Sequence, residues 1–203
     1  MKVRDRNLHS AFRNKNDEFY TRIEDIETEL NDYTHHFNGK VVYCNCDNPN
    51  SSNFCNYFVN NFQKHGLKKL MCSCYNSISY GALFEYYGED NPNNGRKPLN
   101  GDGDFRSSEC TDLLRTADIV VTNPPFSLFR EYVNQLMSSG KKFLIIGNMN
   151  AITYKNVFLH IMNNEIWLGN HNVKEFITPE TEITKPNSQY MVNYFVMQKF
   201  TIY

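Results

Sequence analysis

Short apolar runs with strand character alternate along this chain with amphipathic helical stretches, and that alternation restricts the fold more than any other feature. KVVYCNC (40–46), LKKLMCSCY (67–75), DIVVTN (118–123) and KKFLIIGN (141–148) read as buried strands. Between and after them, NFCNYFVNNFQKHG (53–66), CTDLLRTA (110–117), SLFREYVNQLM (127–137) and NVFLHIMNN (156–164) have helical spacing. In the third of these, Leu128, Phe129, Tyr132, Val133, Leu136 and Met137 share one face. Strands that alternate with helices predict an α/β fold: a doubly wound, mostly parallel sheet covered on both faces. A further strand is expected in SYGALFEYYG (79–88), followed by a polar loop, EDNPNNGRKPLNGDGD (89–104). The last third is less regular, and EIWLG, KEFIT and NYFVMQKFTIY predict final strands with an antiparallel edge. Near the start, TRIEDIETELNDY (21–33) predicts a helix with a Thr21/Glu24 capping box and a stripe of Ile23, Ile26, Leu30 and Tyr33.

With 203 residues and 40% hydrophobic content, the chain is expected to fold as one domain over residues 1–203. In that reading residues 164–203 supply the final edge strands and a possible substrate-contact loop. The formal charge of −1 neither advertises nor excludes a nucleic-acid partner, because a binding face can be basic on a neutral chain. No apolar run approaches the roughly 18 residues of a membrane span, and MKVRDRNLHSAF lacks the apolar region of an export signal. A cytoplasmic location is therefore expected, with the six cysteines as reduced thiols. The Cys44/Cys46 and Cys72/Cys74 pairs leave a zinc alternative, but zinc sites favour Cys-x-x-Cys knuckles, so no metal is expected.

Where DIVVTN ends, Asn123-Pro124-Pro125-Phe126 follows at once, and then a helix. Two prolines freeze the backbone just past the carboxyl end of a strand, where ligands bind in open α/β sheets. That rigidity suits a particular chemistry. A ring-conjugated amino group is a poor nucleophile because its lone pair is delocalised. Two acceptors aimed at its hydrogens, the Asn123 side-chain oxygen and the Pro124 carbonyl, favour localisation of the lone pair toward an electrophilic methyl group. Phe126 offers a face on which a planar base stacks. No metal or strong base is required.

The same turn, [DNS]-P-P-[FYW], is the fourth motif of S-adenosylmethionine-dependent amino-methyltransferases, which this chain resembles. NDEFYTRIEDIE (16–27) resembles the tenth motif of adenine methyltransferases, with Phe19, Tyr20 and Thr21 in the positions that hold the cofactor's methionine end. Taken with CNCDNPNSSNF, GDGDFRS, ADIVVTNPPFSLFREYV and KKFLIIGN, the resemblance is to the EcoRI-type adenine-specific DNA methyltransferase family, over roughly residues 10 to 178. It implies methyl transfer to the N6 amino group of a flipped adenine in DNA, and a Rossmann-like methyltransferase sheet with a reversed final strand. It also implies cofactor contacts at Asp47 and Asn53, at Tyr75 where an acid is usual, at Asp104 and Phe105 of the third motif, and at Asn123. The glycine-rich turn of most methyltransferases is missing from CNCDNPNSSN, where helix-start amides near Ser52 and Asn53 take its place.

Two other readings compete. The same turn serves amino groups of RNA and of protein glutamine, and a silent cofactor- or DNA-binding module would keep the fold without the activity. The catalytic sheet uses residues 19 to 163, so target recognition is expected to need a partner subunit or self-association. The loops at 89–103 and 170–188 are the segments best placed to line DNA.

Overall fold

The computed structural model describes residues 20–173, 176–178, 181–184 and 194–198. Four parallel strands form the centre: β2 (Val41–Cys44), β3 (Lys69–Cys74), β6 (Ile119–Thr122) and β7 (Lys142–Asn148). β2 pairs with β3 on one side and with β6 on the other, and β6 pairs with β7. Beyond β3 lie β4 (Ala82–Tyr86) and β5 (Gly95–Pro98). Beyond β7 lie β11 (Tyr194–Gln198) and then β8 (Trp167–Val173). The order is β5-β4-β3-β2-β6-β7-β11-β8. Because β11 is antiparallel to both β7 and β8, those two run the same way. Only β4 and β11 are reversed, which fits the mostly parallel sheet the sequence predicts. The reversed final strand is slotted one place inside the edge, with β8 outermost.

Alternate residues of the central strands feed two cores. Val42, Cys44, Leu70, Cys72, Ile119 and Val121 face α1 (Ile23–Leu30) and α2 (Asn53–Asn60). Tyr43, Met71, Val120, Phe143 and Ile145 face α4 (Ser108–Thr116), α5 (Phe129–Ser139) and α6 (Lys155–Met162). That is the period-2 division expected of a sheet covered on both sides. The helices start where local chemistry allows: the Ser52 hydroxyl accepts from Phe54 N (3.1 Å) and Ser107 from Cys110 N (3.2 Å). α5 stops at Gly140, whose φ of +68° glycine tolerates better than other residues.

Several expectations need correction. The Thr21/Glu24 capping box does not form. Arg22 is the N-cap of α1 with no side-chain cap bond, because Thr21 is drawn into a two-residue strand, β1 (Tyr20–Thr21), paired with β9 (Phe176–Thr178). β9 also pairs with β10 (Thr181–Thr184), which makes a separate three-stranded sheet. The predicted helix at 53–66 breaks at Asn61, and its second part is α3 (Phe62–His65). The loop at 89–104 contains β5, which gives the reversed β4 a partner. β4 itself runs antiparallel because the 75–81 connection is too short for a crossover.

The cysteines are not all reduced thiols. Cys44 and Cys72 stand in register on one face, α2 lays Cys55 on that face, and Cys55 and Cys72 are joined in a disulfide. Glu29 of α1, buried, takes Asn170 N (3.0 Å) and His171 N (2.8 Å) on its two oxygens and so ties α1 to β8.

Candidate active site

The chain leaves β2 toward β3 on one side of the sheet and leaves β6 toward β7 on the other. The loops that follow β2 and β6 therefore part over a gap at the carboxyl edge, the place where open α/β sheets bind ligands. Asp47 joins the two loops. One of its oxygens accepts from Ser52 Oγ at 2.7 Å, the other from the Thr122 hydroxyl, and the Asn123 backbone N–H donates to the same carboxylate. Thr122 Oγ1 in turn accepts from Cys46 N at 3.1 Å. Burial pushes the Asp47 carboxyl up to about 6 against the pull of these three donors. Asp47 is thus a clamp between the loop after β2 and the turn after β6.

The turn itself follows Thr122 directly. Pro124 is buried, Asn123, Pro125 and Phe126 are half-buried, and Leu128 N returns to Pro125 O at 3.1 Å before α5 begins. Phe126 packs against the core on the α1 and α2 side. Behind the turn, the Tyr132 hydroxyl of α5 donates to Asn45 Oδ1 at the end of β2, a second tie between the same two loops. Tyr132 also meets the Phe105 ring edge-on, with centroids 5.0 Å apart.

The third-motif segment is held by close approach. Gly103 has a φ of +82°, and a Cβ there would fall 2.2 Å from the Cys74 carbonyl, so only glycine lets this loop lie against the end of β3. Asp104 then pairs with Arg106, which donates to both of its oxygens (2.9 and 2.6 Å) and also to Glu131 (2.9 Å). Arg106 holds the Asp104 carboxyl below the usual carboxylate range. Phe105 is in the core, and its carbonyl accepts from Gln135 of α5. Asp104 is therefore part of an ion-pair network, and Phe105 is a packing residue under the edge.

Of the residues singled out from the sequence, Phe19 lies outside the described residues, and Tyr20 is described by its backbone pairing with Ile177. Thr21 is brought to the site: its carbonyl accepts from Asn53 Nδ2 at 2.8 Å, which ties the start of α2 to β1. Tyr75, at the end of β3, is exposed, and the next amide, Asn76 N, donates to Asp102 O at 2.8 Å. Sequence reasoning missed Asn45, Thr122, Tyr132 and Arg96, whose guanidinium donates to Pro49 O at 3.1 Å and braces the loop after β2. Thr122 was legible only as the residue before the turn. The other three had no local signal.

Thr21 Oγ1 and Asn45 Nδ2 are buried at this edge with no hydrogen-bond partner among the described residues. Buried polar groups are normally satisfied. A neutral donor two positions before Asp47 and a hydroxyl on the strand tied to Asn53 fit a ligand rich in polar groups, as S-adenosylmethionine is.

A sheet with six strands in one direction, a reversed strand between its last two members and two polar loops clamped together at the switch point defines the Rossmann-like methyltransferase class. Residues 7–198 match the family described as "Adenine-specific methyltransferase EcoRI", and the chain belongs to that family. Similar proteins include the Type II methyltransferase M.EcoRI of Escherichia coli, 54% identical over 85% of this chain and 59% of the relative. M.MpnI of Mycoplasma pneumoniae is 41% identical over 80% of this chain and 50% of its own length. M.MgeORF184P of Mycoplasma genitalium is 38% identical over the same shares. The chain thus spans about half to three-fifths of the length of these curated relatives. No solved structure is significantly similar to it. Among the described residues no helix is long and apolar enough to cross a membrane.

Proposed function

We propose that this chain transfers a methyl group from S-adenosylmethionine to the exocyclic N6 amino group of an adenine flipped out of duplex DNA. The observation that carries the reading is the Asn123–Phe126 turn at the carboxyl end of β6, fixed to the loop after β2 through Asp47. When bound, the cofactor would supply a methyl group made electrophilic by a sulfonium, whose sulfur would keep the electron pair of the broken S–C bond and leave as a neutral thioether. Asn123 Oδ1 and the Pro124 carbonyl accept the two amino hydrogens and turn the lone pair out of the ring's conjugation. Phe126 stacks on the base, and one amino proton leaves to water once the N–C bond has formed. Pro124 and Pro125 keep both acceptors in place before the base arrives, so little reorganisation is needed at the moment of reaction.

In this proposal Phe19, Tyr20 and Thr21 hold the methionine end of the cofactor, and Asn53 and the Asp47 clamp shape the middle. Tyr75, Asp104 and Phe105 border its adenine, with the Asp104 contact shared with Arg106. The whole chain acts as one methyltransferase domain in the cytoplasm, and recognition of one DNA sequence draws on a partner subunit or self-association.

Asn123→Ala is the test. Removal of one preorganised acceptor raises the barrier by about 3 kcal/mol, a loss of about 10²-fold in single-turnover transfer to duplex DNA. Cofactor affinity by calorimetry should stay within a few-fold of the unsubstituted chain. An Asn123→Ala chain that transfers at the original rate overturns the mechanism.

A further inference from the structure

We infer that the cleft between α5 and α6 holds a phosphate of the DNA backbone beside the flipped nucleotide. The inference rests on the DNA-methyltransferase reading above and names a surface that reading does not use. The cleft, about 570 Å³ in volume, is lined by Arg130, Thr153, Tyr154, Lys155, Asn156 and Leu159, with no acidic side chain. It opens at the same edge of the sheet as the target turn. Arg130 is in the first turn of α5, seven positions after Asn123, and residues 153–156 follow the carboxyl end of β7.

Three features make it a phosphate cradle. The Arg130 guanidinium lies over the Tyr154 ring, 4.0 Å from the centroid. Stacking holds the plane of the guanidinium and leaves its N–H edges for a bidentate partner, the geometry a phosphate accepts. Neither Arg130 nor Lys155 has a carboxylate partner among the described residues, whereas Lys69, Lys97, Arg106 and Arg115 each do. The walls are also set in advance, because Asn156 Nδ2 donates to Asn134 Oδ1 at 2.8 Å and locks α6 against α5. A flipped nucleotide must be held by its flanking phosphates while its base leaves the stack, and contacts to phosphate position the strand without reading sequence. A pair of cations on the helices that follow β6 and β7, at the edge where the turn takes the base, fits that task.

The test is the salt dependence of duplex binding by the full chain and by Arg130→Gln, Lys155→Gln and the double variant. Arg115→Gln, at the opposite edge of the sheet, is the control. Each lost phosphate contact lowers the slope of log affinity against log salt by about 0.9. Because both cations hold one phosphate, the slope is expected to drop by about 0.9 for the double variant and by part of that for each single variant. Affinity should fall by the same factor on target and non-target duplexes, with cofactor affinity and the Arg115→Gln slope unchanged. Unchanged slopes in a chain that binds and methylates duplex overturn the cleft and leave the function standing. A chain that binds duplex with the expected slopes but methylates only RNA or protein overturns the function and leaves the cleft. A chain that binds no duplex overturns both.

Discussion

Asp47 is the residue on which the site's geometry depends, and its charge is held at a cost. Three donors point at it, yet burial dominates and lifts its carboxyl from the ordinary 3.8 to about 6. Between those two values the folded chain holds a proton that the unfolded chain has released, so stability falls as pH rises through this window. The tighter hold on that proton is worth about 3 kcal/mol, present below about pH 4 and lost above about pH 6. Urea unfolding of the original chain and of Asp47→Asn across pH 4 to 7.5 checks the sign: the variant should lack this part of the slope. An identical pH dependence in both would show that Asp47 does not set it. At Phe126 the expected effect is on base holding. Phe126→Ala should cost about 1–3 kcal/mol of affinity for single-stranded or duplex substrate, and Phe126→Trp much less, measured by fluorescence anisotropy with cofactor bound.

At the scale of elements, the disulfide between α2 and β3 ties the helix that follows the cofactor loop to the central sheet. It closes a separation of 17 residues, which in the chain-entropy account is worth about 3 kcal/mol. Reduction, or Cys55→Ser, should lower the free energy of unfolding in urea by that amount. Alkylation under denaturing conditions without reductant, followed by intact-mass measurement, should leave two of the six cysteines, Cys55 and Cys72, unlabelled. Equal stability with and without reductant would contradict the crosslink's role.

How much of these elements the sequence disclosed depends on the range of the forces involved. The four central strands, the helices after them and the Asn123–Phe126 turn were legible because each depends on local pattern: apolar runs, helical spacing and paired prolines. The clamps were not, because they join residues far apart in the chain: Thr122 to Asp47 across 75 positions, Tyr132 to Asn45 across 87, Asn170 to Glu29 across 141. β1 is two residues long and exists only because β9 comes to meet it, so no helix-start rule at Thr21 could compete. The direction of β4 was readable from the short 75–81 connection. The disulfide needed the register of Cys44 against Cys72, which pattern does not give.

At the scale of the whole molecule, the sheet brings the loops after β2, β3, β6 and β7 to one edge, so a cofactor, a base and a phosphate would meet on a single face. Methylation mapping on random-sequence duplexes tests the partner or self-association proposed above: broad modification by the purified monomer is expected, and tight modification of one long motif by a monomer would refute it. The proposed activity is methyl transfer to adenine in DNA. Incubation of the purified chain with methyl-labelled S-adenosylmethionine and a mixture of duplex DNA, RNA and protein, followed by hydrolysis and chromatography, measures it directly. Label is expected in N6-methyl-2′-deoxyadenosine alone, and label confined to RNA or to glutamine would contradict the claim.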